Sequence, residues 1–107
     1  MYIVTGGAGL IGSATVWKLN CEGITDILVV DHLGNTTDKW KNLAPLKYSD
    51  YLERDEFFSK LEAGFFDNVK IEGVFHLGAC SATTERDATY LVKNNFRCTV
   101  TLAEYCI

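Results

Sequence analysis

The chain has 107 residues, a formal net charge of −4 and a pI of about 5.0, which limits it to one small domain. It is 48% hydrophobic and 22% charged, a balance that excludes an intrinsically disordered chain. It has no cluster of Lys or Arg, which argues against nucleic-acid binding. Its apolar stretches fall far short of the roughly 20 residues of a membrane-spanning helix, so we predict no membrane segment.

The cysteines and histidines point to no special chemistry. None of the four cysteines belongs to a C-x-x-C pair, and the two histidines show no metal-ligand spacing with them. We therefore predict no metal site, and reduced cysteines in a cytoplasmic protein. Strand-like sequence begins directly after Met1, so we expect a true N-terminus without a targeting segment.

The first part of the chain predicts a strand, a helix and a second strand. Residues 2–5 form a short apolar run that predicts a buried strand. A helix is predicted over 10–21, with four residues on one face at near-helical spacing: Leu10, Ala14, Trp17 and Cys21. Residues 26–31 predict a second strand, whose continuous apolar run indicates burial on both faces, as in a parallel sheet.

The rest of the chain continues the alternation. Residues 32–45 are polar and predict a loop with at most a short helix around 38–43. A helix predicted over 53–63 turns Phe57, Phe58 and Leu61 inward. The other predicted elements are a short edge strand over 46–48, a strand over 71–77, a loop over 78–87 and a last helix from about 88 to the end.

This alternation predicts an α/β fold. Right-handed crossovers give a parallel sheet with helices on both faces and the strand order 3-2-1-4, the N-terminal half of a doubly wound, Rossmann-like sheet. The last strand would lack a neighbour, so we expect a truncated fold. The prediction is a partial dinucleotide-binding domain over 1–107, with the catalytic and substrate-binding regions absent.

A glycine-rich turn follows the first predicted strand. Gly6, Gly9 and Gly12 have the spacing G-x-x-G-x-x-G. The first permits a tight turn, the second lets the backbone approach a pyrophosphate, and the third lets the helix lie close to the strand. Glycines also end strands where no ligand binds, but the strand before and the helix after favour a dinucleotide site.

An acidic residue ends the second predicted strand. Asp31 lies 19 residues after Gly12, where a carboxylate accepts hydrogen bonds from the ribose hydroxyls of adenosine. The alternative is an ordinary turn residue, since Asp favours turns. The motif G-x-x-x-x-G-K-[ST] is absent, which disfavours a mononucleotide-hydrolysing P-loop.

Residues 5–12, TGGAGLIG, resemble the opening of the extended short-chain dehydrogenase/reductases, a family that includes nucleotide-sugar epimerases and dehydratases. Segments 23–31, 39–43 and 75–87 narrow the resemblance to a nucleotide-sugar epimerase. The resemblance covers all 107 residues and would match about the N-terminal third of such an enzyme.

The resemblance implies cofactor contacts along the whole chain, besides those of the three glycines. Asp31 and His32 would meet the adenosine ribose, while Lys39 and Arg54, where the family tends to carry Lys, would supply positive charge. The family usually has Glu where this chain has Leu77, which weakens a polar contact there. The remaining implied contacts are Leu10 and Ile11 at the helix start, then Leu77, Gly78, Ala79, Cys80 and Ser81 beyond the fourth strand, and Asn94 in the last helix.

The family resemblance also implies a reaction mechanism for the complete protein. Its members use bound NADP or NAD as a transient hydride store, with a Tyr and a Lys in a Y-x-x-x-K pair. This sequence contains no Y-x-x-x-K, so we assign no catalytic residue and expect the chain alone to be inactive. For the complete protein the resemblance implies a nucleotide-sugar substrate and a homo-oligomer.

The choice of cofactor stays open at the level of sequence. Asp31 would repel a 2′-phosphate and favours NAD, whereas Lys39 and Arg54 add cations nearby. The resemblance favours NADP, with NAD as the alternative, and Lys39 as a solvated loop charge is a further possibility. Two functional alternatives also stay open: another extended dehydrogenase/reductase, such as a UDP-sugar 4-epimerase or a dehydratase, and a non-catalytic nucleotide-binding module.

Overall fold

The computed structural model describes residues 1–33 and 39–77, in which strands and helices alternate. The elements are β1 (Tyr2–Thr5), α1 (Leu10–Cys21), β2 (Ile27–Asp31), α2 (Trp40–Leu43), β3 (Asp50–Glu53), α3 (Arg54–Glu62) and β4 (Gly73–His76). All strand pairs are parallel, and the sheet order is β3-β2-β1-β4. The predicted α/β fold and its 3-2-1-4 order are confirmed.

The register of the sheet brings the carboxyl ends of its strands to one edge. Thr5 at the end of β1 pairs with Val30 on β2 and with His76 on β4. Asp31 at the end of β2 pairs with Glu53 at the end of β3. In open parallel sheets, ligands bind outside this edge.

Apolar residues cover both faces of the sheet. One cluster joins alternate strand residues to α3 and the segment after it: Ile3, Leu28, Val30, Phe57, Leu61 and Phe66. The other joins the remaining strand residues to α1 and α2: Val4, Ala8, Val16, Leu19, Ile27, Val29 and Leu43. All five residues of β2 are buried, as the predicted two-sided burial requires.

Helix α1 has the predicted bounds but buries a different face. Its buried residues are Gly12, Val16 and Leu19, whereas Leu10 and Trp17 are 84% and 59% exposed. The predicted stripe, completed by Ala14 and Cys21, therefore faces outward. Apolar residues occur all round this helix, so hydrophobic spacing alone does not choose the face. The position of Gly12 determines the buried face, because only a residue without a side chain fits against the turn before the helix.

The predicted edge strand over 46–48 is wrong, because β3 lies four residues further on. The backbone of Lys47 is bound by a side chain of α1 rather than by the sheet. Its N–H donates to Asn20 Oδ1 and its carbonyl accepts from Asn20 Nδ2, both over 2.8 Å.

The predicted helix and strand of the second half agree with the structure. The predicted helix over 53–63 is confirmed as α3, with Phe57 and Leu61 buried, and the strand over 71–77 is shorter, as β4. The predicted loop over 78–87 and the last helix lie outside the described residues. Within the described part of the chain, no helix has the length and apolar character needed to cross a membrane.

Candidate functional site

The turn between β1 and α1 is tight and lies against the end of β2. Gly6 has a φ of 69°, in the left-handed region that favours glycine. The N–H groups of Gly6 and Gly7 both donate to the carbonyl of Val30, over 2.7 and 3.3 Å. The N–H of Gly9 donates back to the carbonyl of Gly6 over 3.1 Å, which closes the turn.

The turn delivers the chain into the positive end of α1. Gly9 precedes the helix with extended backbone, no side chain of the described residues caps it, and the first turn of the helix carries no acidic residue. The first N–H groups of a helix lack partners within the helix, and together with its dipole they attract anions. Leu10 and Ile11, two of the predicted cofactor contacts, are exposed beside this terminus.

The glycines near the turn differ in how much space the fold leaves for a side chain at each position. A Cβ on Gly12 would lie 2.0 Å from the carbonyl oxygen of Gly6, so α1 packs on the turn without room for a side chain. A Cβ on Gly7 would lie 2.7 Å from Val29 Cγ1, a constraint that the G-x-x-G-x-x-G spacing did not include. A Cβ on Gly9 would meet only the Gly6 oxygen, at 3.4 Å, an ordinary contact.

The carboxylate of Asp31 is buried between the turn and the segment after β2, with 8% of the residue exposed. Its Oδ2 accepts from the N–H of Ala8 over 2.9 Å. Its Oδ1 accepts from the N–H of His32 over 2.6 Å and from Lys39 Nζ over 3.2 Å. Sequence reasoning predicted a ribose contact for Asp31 but did not predict its bond to the turn.

The segment around α2 is attached to the same turn. Lys39, directly before α2, forms an ion pair with Asp31. Asn42, within α2, donates its side-chain N–H to the carbonyl of Ala8 over 2.8 Å. The side chain of Lys39 therefore points to the acidic residue of the site. The sequence had left open the alternative that Lys39 is a solvated charge in a loop.

A second polar cluster joins the ends of β2 and β3, and we call it the β2–β3 corner: His32, Leu33, Tyr51 and Glu53. Glu53 Oε1 accepts from the N–H of Leu33 over 3.2 Å and from the hydroxyl of Tyr51 over 3.0 Å. Glu53 Oε2 lies 3.2 Å from Nδ1 of His32. The hydroxyl of Tyr51 also lies 2.9 Å from the carbonyl oxygen of Asp31.

The titration of the β2–β3 corner reflects these contacts. Burial raises the pKa of Tyr51, and the neighbouring Glu53 raises it further. Desolvation acts to raise the pKa of Glu53, but the hydrogen bonds from Tyr51, Leu33 and His32 lower it overall. Glu53 is therefore held as a carboxylate and Tyr51 as a neutral donor.

A third polar group joins the ends of β1 and β4. Thr5 Oγ1 accepts from the N–H of Leu77 over 3.0 Å and lies 2.7 Å from Nδ1 of His76. Burial lowers the pKa of His76, which favours the neutral ring. Thr5 Oγ1 and Nδ1 of His76 share one hydrogen bond, in which the hydroxyl is the donor when the ring proton is on Nε2 and the acceptor when it is on Nδ1.

Members of these groups line a cavity at the carboxyl edge of the sheet, and its full lining is Thr5, Gly6, Val30, Asp31, His32, Arg54, Phe58 and His76. The structure thus brings Gly6, Asp31, His32 and Arg54 together, with Lys39 attached to the group through Asp31.

Other predicted residues lie beside the cavity or outside the described chain. Gly9, Leu10, Ile11 and Gly12 stand at the start of α1, and Leu77 follows β4. The predicted contacts that lie outside the described residues are Gly78, Ala79, Cys80, Ser81 and Asn94.

Sequence reasoning missed Thr5, Val30, Phe58 and His76 as lining residues. The predicted strand order makes β1 and β4 neighbours, but it does not fix the register that pairs Thr5 with His76. Among residues 1–33 and 39–77, no group of three His, Cys, Asp or Glu side chains is placed to hold a metal ion.

A parallel sheet of this order, with a glycine turn after its central strand, defines a Rossmann-like fold. The same fold occurs in the crystal structure of UDP-glucuronic acid 4-epimerase from Bacillus cereus in complex with NAD, with a TM-score of 0.76, 27% identity, and coverage of 98% of this chain and 35% of that chain. A second structure of that enzyme, with UDP-glucuronic acid and NAD, has a TM-score of 0.73, 28% identity and the same coverage.

Residues 2–107 match the NAD dependent epimerase/dehydratase family, and the chain belongs to that family. Over all 107 residues it is 55% identical to the ADP-L-glycero-D-manno-heptose-6-epimerase of two strains of Nitratidesulfovibrio vulgaris, DP4 and Hildenborough. It is 48% identical to the enzyme of the same name from Brachyspira hyodysenteriae, again over its full length.

The chain spans about a third of the length of these curated relatives, 32% and 33% of their sequences. The predicted membership of an epimerase family is confirmed by the family match over residues 2–107. Segments 23–31, 39–43 and 75–87 had predicted a resemblance to ADP-heptose 6-epimerase in particular, and the chain as a whole is similar to enzymes of that name.

Proposed function

We propose that this chain forms the cofactor-binding part of an NADP-dependent nucleotide-sugar epimerase of the ADP-heptose 6-epimerase kind, with NAD as the alternative cofactor. The observation that carries the proposal is the glycine turn, held against β2, that leads into the start of α1, which no described side chain caps. When bound, the nicotinamide cofactor would take a hydride from a sugar carbon and return it to the opposite face.

The start of α1 is the proposed pyrophosphate site. Its first N–H groups and the positive end of the helix dipole favour a doubly negative bridge. Gly9 presents no side chain there, and the exposed side chains of Leu10 and Ile11 flank it. These two residues would exclude water from one side of the bridge.

The hydrogen bonds of Asp31 support NADP over NAD. A carboxylate has about four lone-pair sites, and three are used by the described residues Ala8, His32 and Lys39. Among residues 1–33 and 39–77, these contacts leave one site, which suits the single free hydroxyl of a 2′-phosphorylated ribose. Lys39 offsets the charge of Asp31, and Arg54 adds a cation at the cavity.

Other observations support NAD as the alternative. The family is described as NAD dependent, and the Bacillus cereus enzyme was crystallised with NAD. An acidic residue at the end of β2 is also the usual partner of an unphosphorylated ribose.

The relatives supply the proposed substrate class, a nucleotide sugar. The 55% identity to ADP-heptose 6-epimerases favours an ADP-heptose, while the likeness to a UDP-glucuronic acid 4-epimerase supports a UDP-sugar as the second candidate. The sequence has no Y-x-x-x-K pair, so its own contribution would be to bind and orient the cofactor.

The proposal is tested by titrating NADP and NAD into the chain and into a Gly9→Ala variant by calorimetry. An alanine Cβ at this position meets only the Gly6 oxygen at 3.4 Å, so the fold is expected to survive. We expect the unmodified chain to bind NADP more tightly than NAD, and Gly9→Ala to weaken both about tenfold or more, since the added methyl occupies the proposed pyrophosphate position.

A Gly12→Ala variant provides the contrast. Its Cβ would lie 2.0 Å from the Gly6 oxygen, so this variant is expected to lose thermal stability while Gly9→Ala retains it. Absence of binding to the unmodified chain, or undiminished binding to Gly9→Ala, would overturn the proposed function.

A further inference from the structure

We propose that Glu53 is a positioning residue that holds the segment after β2 in place and also disfavours a 2′-phosphate, so that it helps to set the choice between NAD and NADP. The proposal rests on the proposed function. Glu53 does not line the cavity, but it lies between two residues that do, His32 and Arg54.

The geometry of the β2–β3 corner carries the positioning role. β2 ends at Asp31, paired in register with Glu53. One carboxylate then holds the next two residues, since Oε1 accepts from the N–H of Leu33 and Oε2 lies 3.2 Å from the ring of His32. Tyr51 joins the same carboxylate to the carbonyl of Asp31. Three consecutive residues are thereby attached to β3.

The charges at the corner carry the selectivity role. Asp31 has Lys39 as its cationic partner, over 3.2 Å. Glu53 brings a second negative charge to the same edge of the sheet, beside His32 and directly before Arg54. A 2′-phosphate bound near His32 and Arg54 would be repelled by Glu53, whereas an unphosphorylated ribose would not.

Two substitutions separate these roles. Glu53→Gln keeps an oxygen that accepts from Leu33 and Tyr51 but removes the charge. Glu53→Ala removes both. We expect Glu53→Gln to raise the ratio of NADP affinity to NAD affinity about fivefold. Glu53→Ala, which also lacks the charge, should raise the ratio to a similar extent while weakening NAD binding about tenfold through loss of position. The side chain of Glu53 is 44% exposed, so the ratio gained by Glu53→Gln should shrink in about 0.5 M salt.

The matched control is Glu56→Gln, which makes the same charge change at an exposed position on α3. Calorimetric titrations of the unmodified chain and the three variants with NADP and NAD, with circular dichroism to verify folding, give all the readouts. The expected result is a raised, salt-sensitive ratio in both Glu53 variants and not in Glu56→Gln, with a general loss of NAD affinity in Glu53→Ala only.

An unchanged ratio in Glu53→Gln, the same ratio change in Glu56→Gln, or normal binding by Glu53→Ala would overturn this inference and leave the proposed function in place. Failure of the unmodified chain to bind either cofactor would overturn the proposed function and this inference together.

Discussion

The carboxylate of Asp31 accepts a hydrogen bond from the backbone N–H of Ala8 over 2.9 Å, in a buried position. This bond joins the end of β2 to the glycine turn, 23 residues earlier in the chain. The acidic residue that sequence patterns assign to ribose recognition is therefore also part of the structure of the turn, and changing it affects stability as well as ligand binding.

Asp31→Asn is expected to destabilise the chain by about 2–3 kcal/mol. The carboxylate accepts on both oxygens, from Ala8 on one side and from His32 and Lys39 on the other. An amide has one oxygen, so either orientation sets an N–H donor against another donor. Urea unfolding measures the effect.

The control for that prediction is Asp26→Asn, which makes the same change at a side chain that is 67% exposed. We expect a loss of less than about 1 kcal/mol there, because exposed ion pairs contribute little. Equal losses in the two variants would contradict a structural role for the bond between Asp31 and Ala8.

Lys39→Gln is expected to lower NADP affinity about tenfold and NAD affinity less than about threefold. Lys39 lies 3.2 Å from Asp31 Oδ1, so its removal leaves a carboxylate charge uncompensated beside the proposed 2′-phosphate. Fluorescence or calorimetric titration with both cofactors measures the two affinities.

Lys41→Gln, on the exposed side of α2, makes the same charge change and should leave the two affinities in their original ratio. A parallel fall of NADP and NAD affinity in Lys39→Gln would show that the lysine acts on the turn rather than on the phosphate.

The chain is expected to lose stability as the pH falls from about 7 to about 5, because the folded state lowers the pKa of His76 from its usual 6.5. In this range the unfolded chain binds more protons at this ring than the folded chain does, so acid favours unfolding. The unfolding free energy at several pH values measures the slope.

His76→Asn should flatten that slope. The asparagine oxygen stands close to the position of Nδ1 and can accept from the hydroxyl of Thr5, so the strand ends stay joined while the titrating ring is gone. An unchanged slope in this variant would assign the pH dependence to other groups.

Short-range patterns predicted most of the fold. The turn at Gly6 and the buried run of β2 are local signals, and they predicted the first two strands, α1 between them and, through crossover handedness, the sheet order. The buried face of α1 was not predictable in this way, because it depends on how closely Gly12 approaches the turn.

The polar contacts of the site depend on pairing across the sheet, which local patterns do not contain. Thr5 and His76 are 71 residues apart and meet only through the register of β1 with β4. Glu53 contacts His32 because of the register of β2 with β3. The side chain of Asn20 hydrogen-bonds the backbone of Lys47 because of the way α1 packs on the sheet. The sequence predicted Asp31 and Lys39 separately but not their ion pair.

Ala8 is held from both sides, by Asp31 at its N–H and by Asn42 at its carbonyl. A loop restrained in this way has lost its conformational entropy during folding, before any ligand arrives. An incoming diphosphate would meet amides that are already aligned, so little of its binding energy would be spent on ordering the protein. Removing either hydrogen bond to Ala8 should therefore slow the association of the diphosphate and speed its dissociation. This effect does not require the side chain of Asp31 or Asn42 to contact the diphosphate.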